Sequence, residues 1–435
     1  MPVEIEQIIS NESKLTEMRC LLVSCVFPPE PVVSSQTSMQ IAQALVKRGH
    51  DVTVITAFPS RPAGKLHPDY SRRLFQRENG FAGFKLVRCF SILSSESRMG
   101  SRFLENITFG LTGGWAALVS PRPDVIYANT WPIFATGILF LVSRLRNIPM
   151  VISIQDVYPE SMVSQKQIRA DGLLARWMRW ADTFIARRCQ AVIVISESFA
   201  SLYRNERGVA PERLHVVPNW VDSKSVAPDD DRANEFRAKR DIPHGAFVLV
   251  YGGNVGAAAG VETVIESFRY LRDIGDVYLV VAGGGSSLET CQQLAEEVAC
   301  PRILFHTPWP TDETSMVLRA ADVLVLPTQH TQSLVSVPSK LISYMLAARS
   351  IIALALPQSD LASIIEQSGC GWAVEPDQPE LLAAKIREVM AVEPVERVRR
   401  GRDGREFALR HLTREVCLPG VIHVLEEAAQ KGNHG

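Results

Sequence analysis

From Arg19 onward, short apolar runs rich in β-branched residues alternate with longer stretches in which apolar positions recur every three or four residues. That rhythm predicts βα units whose parallel strands are buried on both faces. The runs 20–26, 51–56, 124–128, 150–154, 191–195 and 214–217 are the predicted strands of a first half, with a helix through Met39–Leu45 closed by Gly49-His50. Beyond the acidic stretch 226–232 the rhythm restarts: runs at 246–251, 277–282, 322–326 and 350–354 are separated by helical stretches such as 261–271. Two helices, at 405–411 and 421–429, end the chain.

The prediction is an α/β protein of two doubly wound, Rossmann-like domains facing each other across a cleft. Its expected parts are a loose extension over 1–17, a first domain over 18–225, a second over 226–400, and C-terminal helices over 401–435 that return towards the first domain. In such sheets a ligand sits beyond the carboxyl ends of the strands, so the cleft is the expected site.

Composition narrows the class. A chain of 435 residues, 46% hydrophobic and 21% charged, can bury two cores, and a net charge of −1 offers no bulk attraction for nucleic acid. The eight cysteines are scattered without Cys-x-x-Cys spacing, which favours buried thiols over disulfides or zinc. No run of 18 apolar residues and no basic-then-apolar leader is seen, so a cytoplasmic protein is expected.

The candidate chemistry follows the predicted strands. Gly252-Gly253-Asn254-Val255-Gly256 and Gly283-Gly284-Gly285 are glycine turns that let a backbone approach a phosphate closely, although such turns also serve purely structural ends. The stretch Ser336-Val337-Pro338-Ser339-Lys340 reads as a loop entering a helix, with Pro338 in the first turn and Lys340 adding charge to free N–H groups. Leu341, Ile342, Met345 and Leu346 give that helix a core face.

In the first half Glu30 and Asp156 both follow strands, where a carboxylate can hold a hydroxyl, accept its proton, or simply cap a helix. Asp229-Asp230-Asp231 reads as a solvated turn, His306 and His330 stand alone, and no group has metal-ligand spacing, so no metal is expected. Between Arg61 and Arg188 basic residues outnumber acidic ones about twofold. Several, including Arg98, Arg102, Arg144, Arg146, Arg169, Arg176, Arg179, Arg187 and Arg188, lie near apolar stretches. They form either a solvated face or a patch for anionic lipid or a diphosphate-bearing acceptor.

Taken in order, Phe27-Pro-Pro-Glu30, Ile154-Gln-Asp-Val-Tyr-Pro-Glu-Ser161, Ser196-Glu197, Val217-Pro-Asn-Trp-Val-Asp222, Tyr251-Gly-Gly-Asn-Val-Gly256, Gly260-Val-Glu-Thr263, Gly283-Gly-Gly285, Val337-Pro-Ser-Lys340 and Tyr344-Met345 resemble a known family. It is the GT-B retaining glycosyltransferases of family 4 type, and within them the fucosamine and colanic-acid transferases of bacterial surface polysaccharides. The resemblance implies a hexosyl or aminohexosyl transferase that takes a nucleotide diphosphate sugar, UDP-linked, as donor substrate, with no tightly bound cofactor and no metal.

It further implies that Gly252, Gly253, Asn254, Gly256, Gly283, Gly284, Ser336, Val337, Pro338, Ser339 and Lys340 bind the donor. Glu30 and Asp156 would line the acceptor side and act in catalysis with Lys340. The implied acceptor is a saccharide or a polyprenyl-diphosphate-linked saccharide, with peripheral contact at the inner membrane face. Departures are specific: Val335 and Ser343 stand where the family has a Glu-x7-Glu pair, and Asn254 and Ala259 where it has Arg and Lys. Pro31 to Ser34 replace the glycine after Phe-Pro-Pro-Glu. Lys340 is left to supply the positive charge. A nucleotide-sugar 2-epimerase of similar architecture, or a non-catalytic nucleotide-sugar binder, is the alternative reading.

Overall fold

The computed structural model describes residues 17–30, 32–61, 64–80, 82–93, 99–129, 133–164, 167–226, 230–256, 259–330 and 338–433. Of the positions singled out above, residues 1–16, Pro31, Arg98, Asp229, Val335, Ser336 and Val337 lie outside them, as does the side chain of Arg102.

Two sheets organise the chain. The first contains β1 (Arg19–Ser24), β2 (Asp51–Ala57), β3 (Phe75–Asn79), β4 (Lys85–Cys89), β5 (Val125–Asn129), β6 (Met150–Ile154), β7 (Ala191–Val194) and β8 (Leu214–Val216), in the order β3-β4-β2-β1-β5-β6-β7-β8. All its pairings are parallel except β3 with β4. The second contains β9 (Phe247–Gly252), β10 (Val277–Ala282), β11 (Ile303–His306), β12 (Val323–Leu326), β13 (Ser350–Leu354) and β14 (Gly371–Val374), in the order β11-β10-β9-β12-β13-β14, all parallel. Every strand read from the sequence is present. β3, β4, β11 and β14 are additions, all at or next to a sheet edge, where half-exposed residues replace the continuous apolar run.

Helices cover both faces of each sheet, so each domain has two cores. In the first, one face buries Leu21, Val23, Ile126 and Ile152, the other Leu22, Val54, Tyr127 and Val151. The second repeats this with Val248, Val250 and Leu324 against Leu249, Val281 and Val325. A switch in winding direction falls beside β1 in one sheet and beside β9 in the other, and each switch leaves a crevice at the carboxyl ends.

The end of the chain differs in detail from the sequence reading. A single helix, Pro394–His411, runs through position 401 and stays with the second domain. A Cβ on Gly401 would meet the Ala348 carbonyl oxygen at 2.4 Å, and one on Gly404 would meet Cys370 Cβ at 2.6 Å. The chain returns to the first domain at Leu412-Thr413, later than expected. The last helix, Arg414–Asn433, places Cys417, Val421, Ile422 and Leu425 in the first domain's core.

Candidate active site

The two glycine turns of the second domain interlock. Gly253 donates to the Ala282 carbonyl (2.9 Å), Val255 to that of Gly284 (2.9 Å), and Gly283 to that of His306 (3.1 Å), so the ladder continues past the strand ends. The contact is too close for side chains: a Cβ on Gly283 would lie 2.0 Å from the Gly253 oxygen, and one on Gly285 2.3 Å from that of Val255. Gly283 (φ +125°) and Gly285 (φ +156°) also hold backbone conformations that favour glycine. Asn254 is left exposed, its amide tucked between Gly256 and Gly285.

Lys340 closes this cradle. Its helix, Lys340–Leu346, rests on the core through Leu341, Ile342, Tyr344, Met345 and Leu346. Tyr344 pins the first turn, its hydroxyl accepting from the Gly252 N–H (2.7 Å) and donating to the Gly252 carbonyl (3.1 Å). The Lys340 ammonium donates to the Asn254 carbonyl (3.4 Å) and lies 5.0 Å from the Tyr251 ring centroid. Its stem passes where a Gly253 side chain would sit, 2.1 Å from such a Cβ. No carboxylate pairs with it among the described residues, and burial lowers its pKa from 10.5 to about 8. A desolvated, unpaired cation beside exposed backbone favours an anion.

The helix start itself differs from the sequence reading. Pro338 lies before the helix, contributing only a carbonyl that accepts from the Leu341 N–H (3.0 Å), and the positive group at the cradle is the Lys340 side chain.

Across the cleft a cavity of about 320 Å³ opens at the switch point of the first sheet. It is lined by residues at or just beyond strand ends, including Cys25, Asn129, Gln155 and Asp156, and Ser339 of the second domain completes its wall. Asp156 faces into it without a hydrogen bond or ion pair among the described residues, and burial raises its carboxyl pKa. Arg61 and Glu105, paired at 3.1 Å, form a charged edge that the sequence did not single out. Only their separation along the chain hid it.

Glu30 is a correction. It does not line this cavity: its carboxylate is buried and accepts from the N–H groups of Ser60 (3.0 Å), Arg61 (3.1 Å) and Phe27 (3.3 Å). Three backbone donors take three of its roughly four lone-pair sites, so Glu30 shapes the loops around the cavity and is not among the residues that line it.

The single histidines are engaged elsewhere. The His306 ring bonds Glu313 (2.7 Å) and Arg240, and the backbone N–H of His330 donates to Asp377 (3.0 Å). Among the described residues no cluster of His, Cys, Asp and Glu could hold a metal ion.

Residues 34–220 match the glycosyl transferase 4-like domain, and residues 232–407 match the glycosyl transferases group 1 domain. The chain belongs to the group 1 glycosyltransferases. Among curated relatives, this transferase is 24% identical to the colanic acid biosynthesis glycosyl transferase WcaI of Escherichia coli, over 93% of the chain and 99% of the relative. Its fold is GT-B. The sucrose-phosphate synthase of Thermosynechococcus elongatus superposes with a TM-score of 0.74 at 16% identity, over 95% of this chain and 100% of that one. HepE of Anabaena, solved in complex with UDP, superposes with a TM-score of 0.67 at 13% identity, over 96% and 100%. Among the described residues lining the cavity there is no histidine of the kind the epimerase alternative calls for.

Proposed function

We propose that the protein transfers a hexosyl or aminohexosyl unit from a UDP-sugar to a hydroxyl of a saccharide or polyprenyl-diphosphate-linked saccharide, with retention at the anomeric carbon, in surface-polysaccharide synthesis. The observation that carries this reading is the junction at Ser339-Lys340. Ser339 completes the wall of the Asp156 cavity while Lys340 lies in the glycine cradle, so an anion and an acceptor can meet there. The similarity to WcaI supports the polysaccharide context, and the fold shared with UDP-bound HepE supports the nucleotide.

In this reading the diphosphate lies against Gly284, where the missing side chain leaves open space, and against Asn254 and the Lys340 side chain that covers Gly253. As the bond between the anomeric carbon and the diphosphate oxygen breaks, charge grows on that oxygen and the Lys340 ammonium stabilises it. The acceptor oxygen bonds to the carbon on the same face, and its proton passes to the departing oxygen. Asp156 orients the acceptor by accepting from a neighbouring hydroxyl, which leaves the proton of the reacting hydroxyl free to pass to the departing oxygen. No resident metal or other cofactor takes part in this scheme.

Calorimetry with UDP, GDP and ADP tests the donor assignment: UDP binds in the expected outcome, and no binding by any of the three overturns it. Lys340→Ala should lower turnover about 100-fold while the melting temperature holds, because an electrostatic contact to developing charge is lost and no ion pair is broken. Full turnover in that variant would remove Lys340 from the mechanism.

A further inference from the structure

A second pocket opens on the rim of the first domain, set apart from the cavity beside Asp156. It holds about 120 Å³ at the carboxyl ends of β2 and β4, walled by Phe58 and Leu66 of the segment after β2 and by Phe90 to Leu93 after β4. The two pockets are neighbours. Phe58 lines the smaller and Arg61, three positions on, the larger, so at most about 10 Å of chain separates their walls on this side. On the other side the Ile92 N–H donates to Thr108 Oγ1 (2.9 Å), on the helix Met99–Val119 that gives Glu105, Asn106 and Phe109 to the cavity. The Arg61–Glu105 ion pair ties these two elements together.

The segment between β2 and β3 is pinned at several points. Arg88, 2% exposed, donates to the carbonyls of Pro28 (2.6 Å) and Ala57 (3.4 Å), and its guanidinium lies 4.8 Å from the Tyr70 ring centroid. Tyr70 stands edge-on to Phe58 at 6.1 Å, and the Phe90 N–H donates to the Leu74 carbonyl (2.9 Å). Walls held in this way give up little freedom when a ligand binds.

Charge in this pocket is unbalanced. Arg72 and Arg73 line it, both exposed, and neither pairs with a carboxylate among the described residues; Arg73 donates only to the Ser71 hydroxyl (3.1 Å). The acids of the same segment are engaged, Glu78 with Arg88 (3.1 Å) and Asp69 with His67 (3.5 Å). Ser91 stands in the wall as well, 4% exposed, with a hydroxyl that no described group bonds. A buried hydroxyl without a partner is unfavourable until a ligand supplies one. Two free guanidiniums beside the apolar surface of Phe58, Phe90 and Leu93 fit a ring with a C–H face and one anionic edge. A sugar carrying a carboxylate has both, and a guanidinium grips a carboxylate through two parallel hydrogen bonds.

We infer that this pocket is a specificity subsite for an acidic sugar unit of the acceptor, next to the unit whose hydroxyl reacts. The reacting unit occupies the cavity beside Asp156, the saccharide passes the Arg61–Glu105 pair, and the neighbouring unit turns its carboxylate to Arg72 and Arg73. The two arginines select the acceptor and take no part in bond breaking. The link to the reacting unit rests on the proposed transfer; recognition of the acidic sugar does not.

The test is calorimetry of the full chain, without any nucleotide sugar, with cellobiouronic acid, which carries one carboxylate, and with cellobiose, its neutral counterpart. Expected is binding about tenfold tighter for the acid, a preference that shrinks as salt is added. Arg72→Gln combined with Arg73→Gln should leave the melting temperature in place, since both side chains are exposed, and should bring the two disaccharides within about twofold of each other. Arg176→Gln, equally exposed but on another element, should keep the full preference and so control for net charge. The inference is overturned if acid and neutral disaccharide bind alike, if neither binds, or if the preference survives the double variant. It is equally overturned if inorganic phosphate binds as tightly as the acid, which assigns the arginines to any small anion. Because no donor is present, a failure with UDP beside a retained acid preference would unseat the donor reading alone.

Discussion

Lys340 is the residue on which the electrostatics of the cleft turn. Burial holds its pKa near 8, against an ordinary 10.5, so the unfolded chain binds this proton more tightly and folding gains stability as pH rises between those values. A bound diphosphate acts the other way, favouring the ammonium and raising the pKa. Nucleotide affinity should therefore be flat below about pH 7.5 and fall by up to tenfold per pH unit above about pH 8. Calorimetry at pH 8.5 in two buffers of different ionisation enthalpy should show proton uptake on binding, and Lys340→Met should show neither effect. An unchanged profile in that variant would place the titration elsewhere. Lys340 was legible in the sequence because a lysine after a proline at a helix start is a local pattern. Its seat over Gly253 was not, since the two lie far apart in sequence and only the sheet order brings them together. Glu30 and Asp156 show the converse: both follow strands, and no local pattern separates a carboxylate consumed by backbone N–H groups from one left open to a cavity.

At the level of elements, the loop after β6 that presents Asp156 is held by a buried arginine. Arg207, with its side chain 1% exposed, grips both oxygens of Glu160 (2.8 and 2.7 Å) and one of Asp182 (2.9 Å), whose other oxygen accepts from the Tyr203 hydroxyl (3.0 Å). This network joins the short helix Glu160–Ser164 to Leu173–Ala186 and Glu197–Asn205. Removing Arg207 leaves Asp182 buried without its cation, while Glu160 keeps Arg179 at 3.2 Å, a change that costs about 3 kcal/mol. Arg207→Ala should show that loss in urea unfolding, and Arg207→Lys should restore little, because an ammonium cannot span both acids. The sequence reading bounded none of these helices, leaving them within a general βα rhythm, and gave no sign of the arginine, which looks like any other charged residue near a helix end. The same limit explains the missed β3: Phe75-Gln-Arg-Glu-Asn79 alternates in exposure and offers no apolar run to notice.

The whole molecule is two domains whose chain crosses twice at one seam, with a further contact where the Ser198 hydroxyl donates to Asp360. Both chain crossings lie side by side: Val221 donates to the Leu412 carbonyl (3.4 Å), Arg414 donates back to that of Val221 (3.1 Å), and the Arg414 side chain pairs with Asp222 at 2.9 Å. Each side of this seam is anchored in a different core, Trp220 and the Arg414–Asn433 helix in the first domain and the Pro394–His411 helix in the second. Any closure of the cleft must then rotate about the seam, and its geometry depends on the last helix staying docked. Glu426 is the polar clamp for that docking, accepting from Arg48 at 3.0 Å to each oxygen and from His50 Nε2 at 3.1 Å. The Met18 N–H reaches His50 Nδ1 (3.4 Å), which leaves Nε2 as the nitrogen that donates to Glu426. Glu426→Ala removes the acceptor from both, at an expected cost of about 3 kcal/mol. Hydrogen exchange should then quicken along 414–433 first, while the second domain keeps its protection and its affinity for nucleotide. Transfer to acceptor should fall more than nucleotide binding does, since only transfer needs the two domains in register. Uniform exchange over both domains would show instead that the last helix belongs to one cooperative unit with the whole chain.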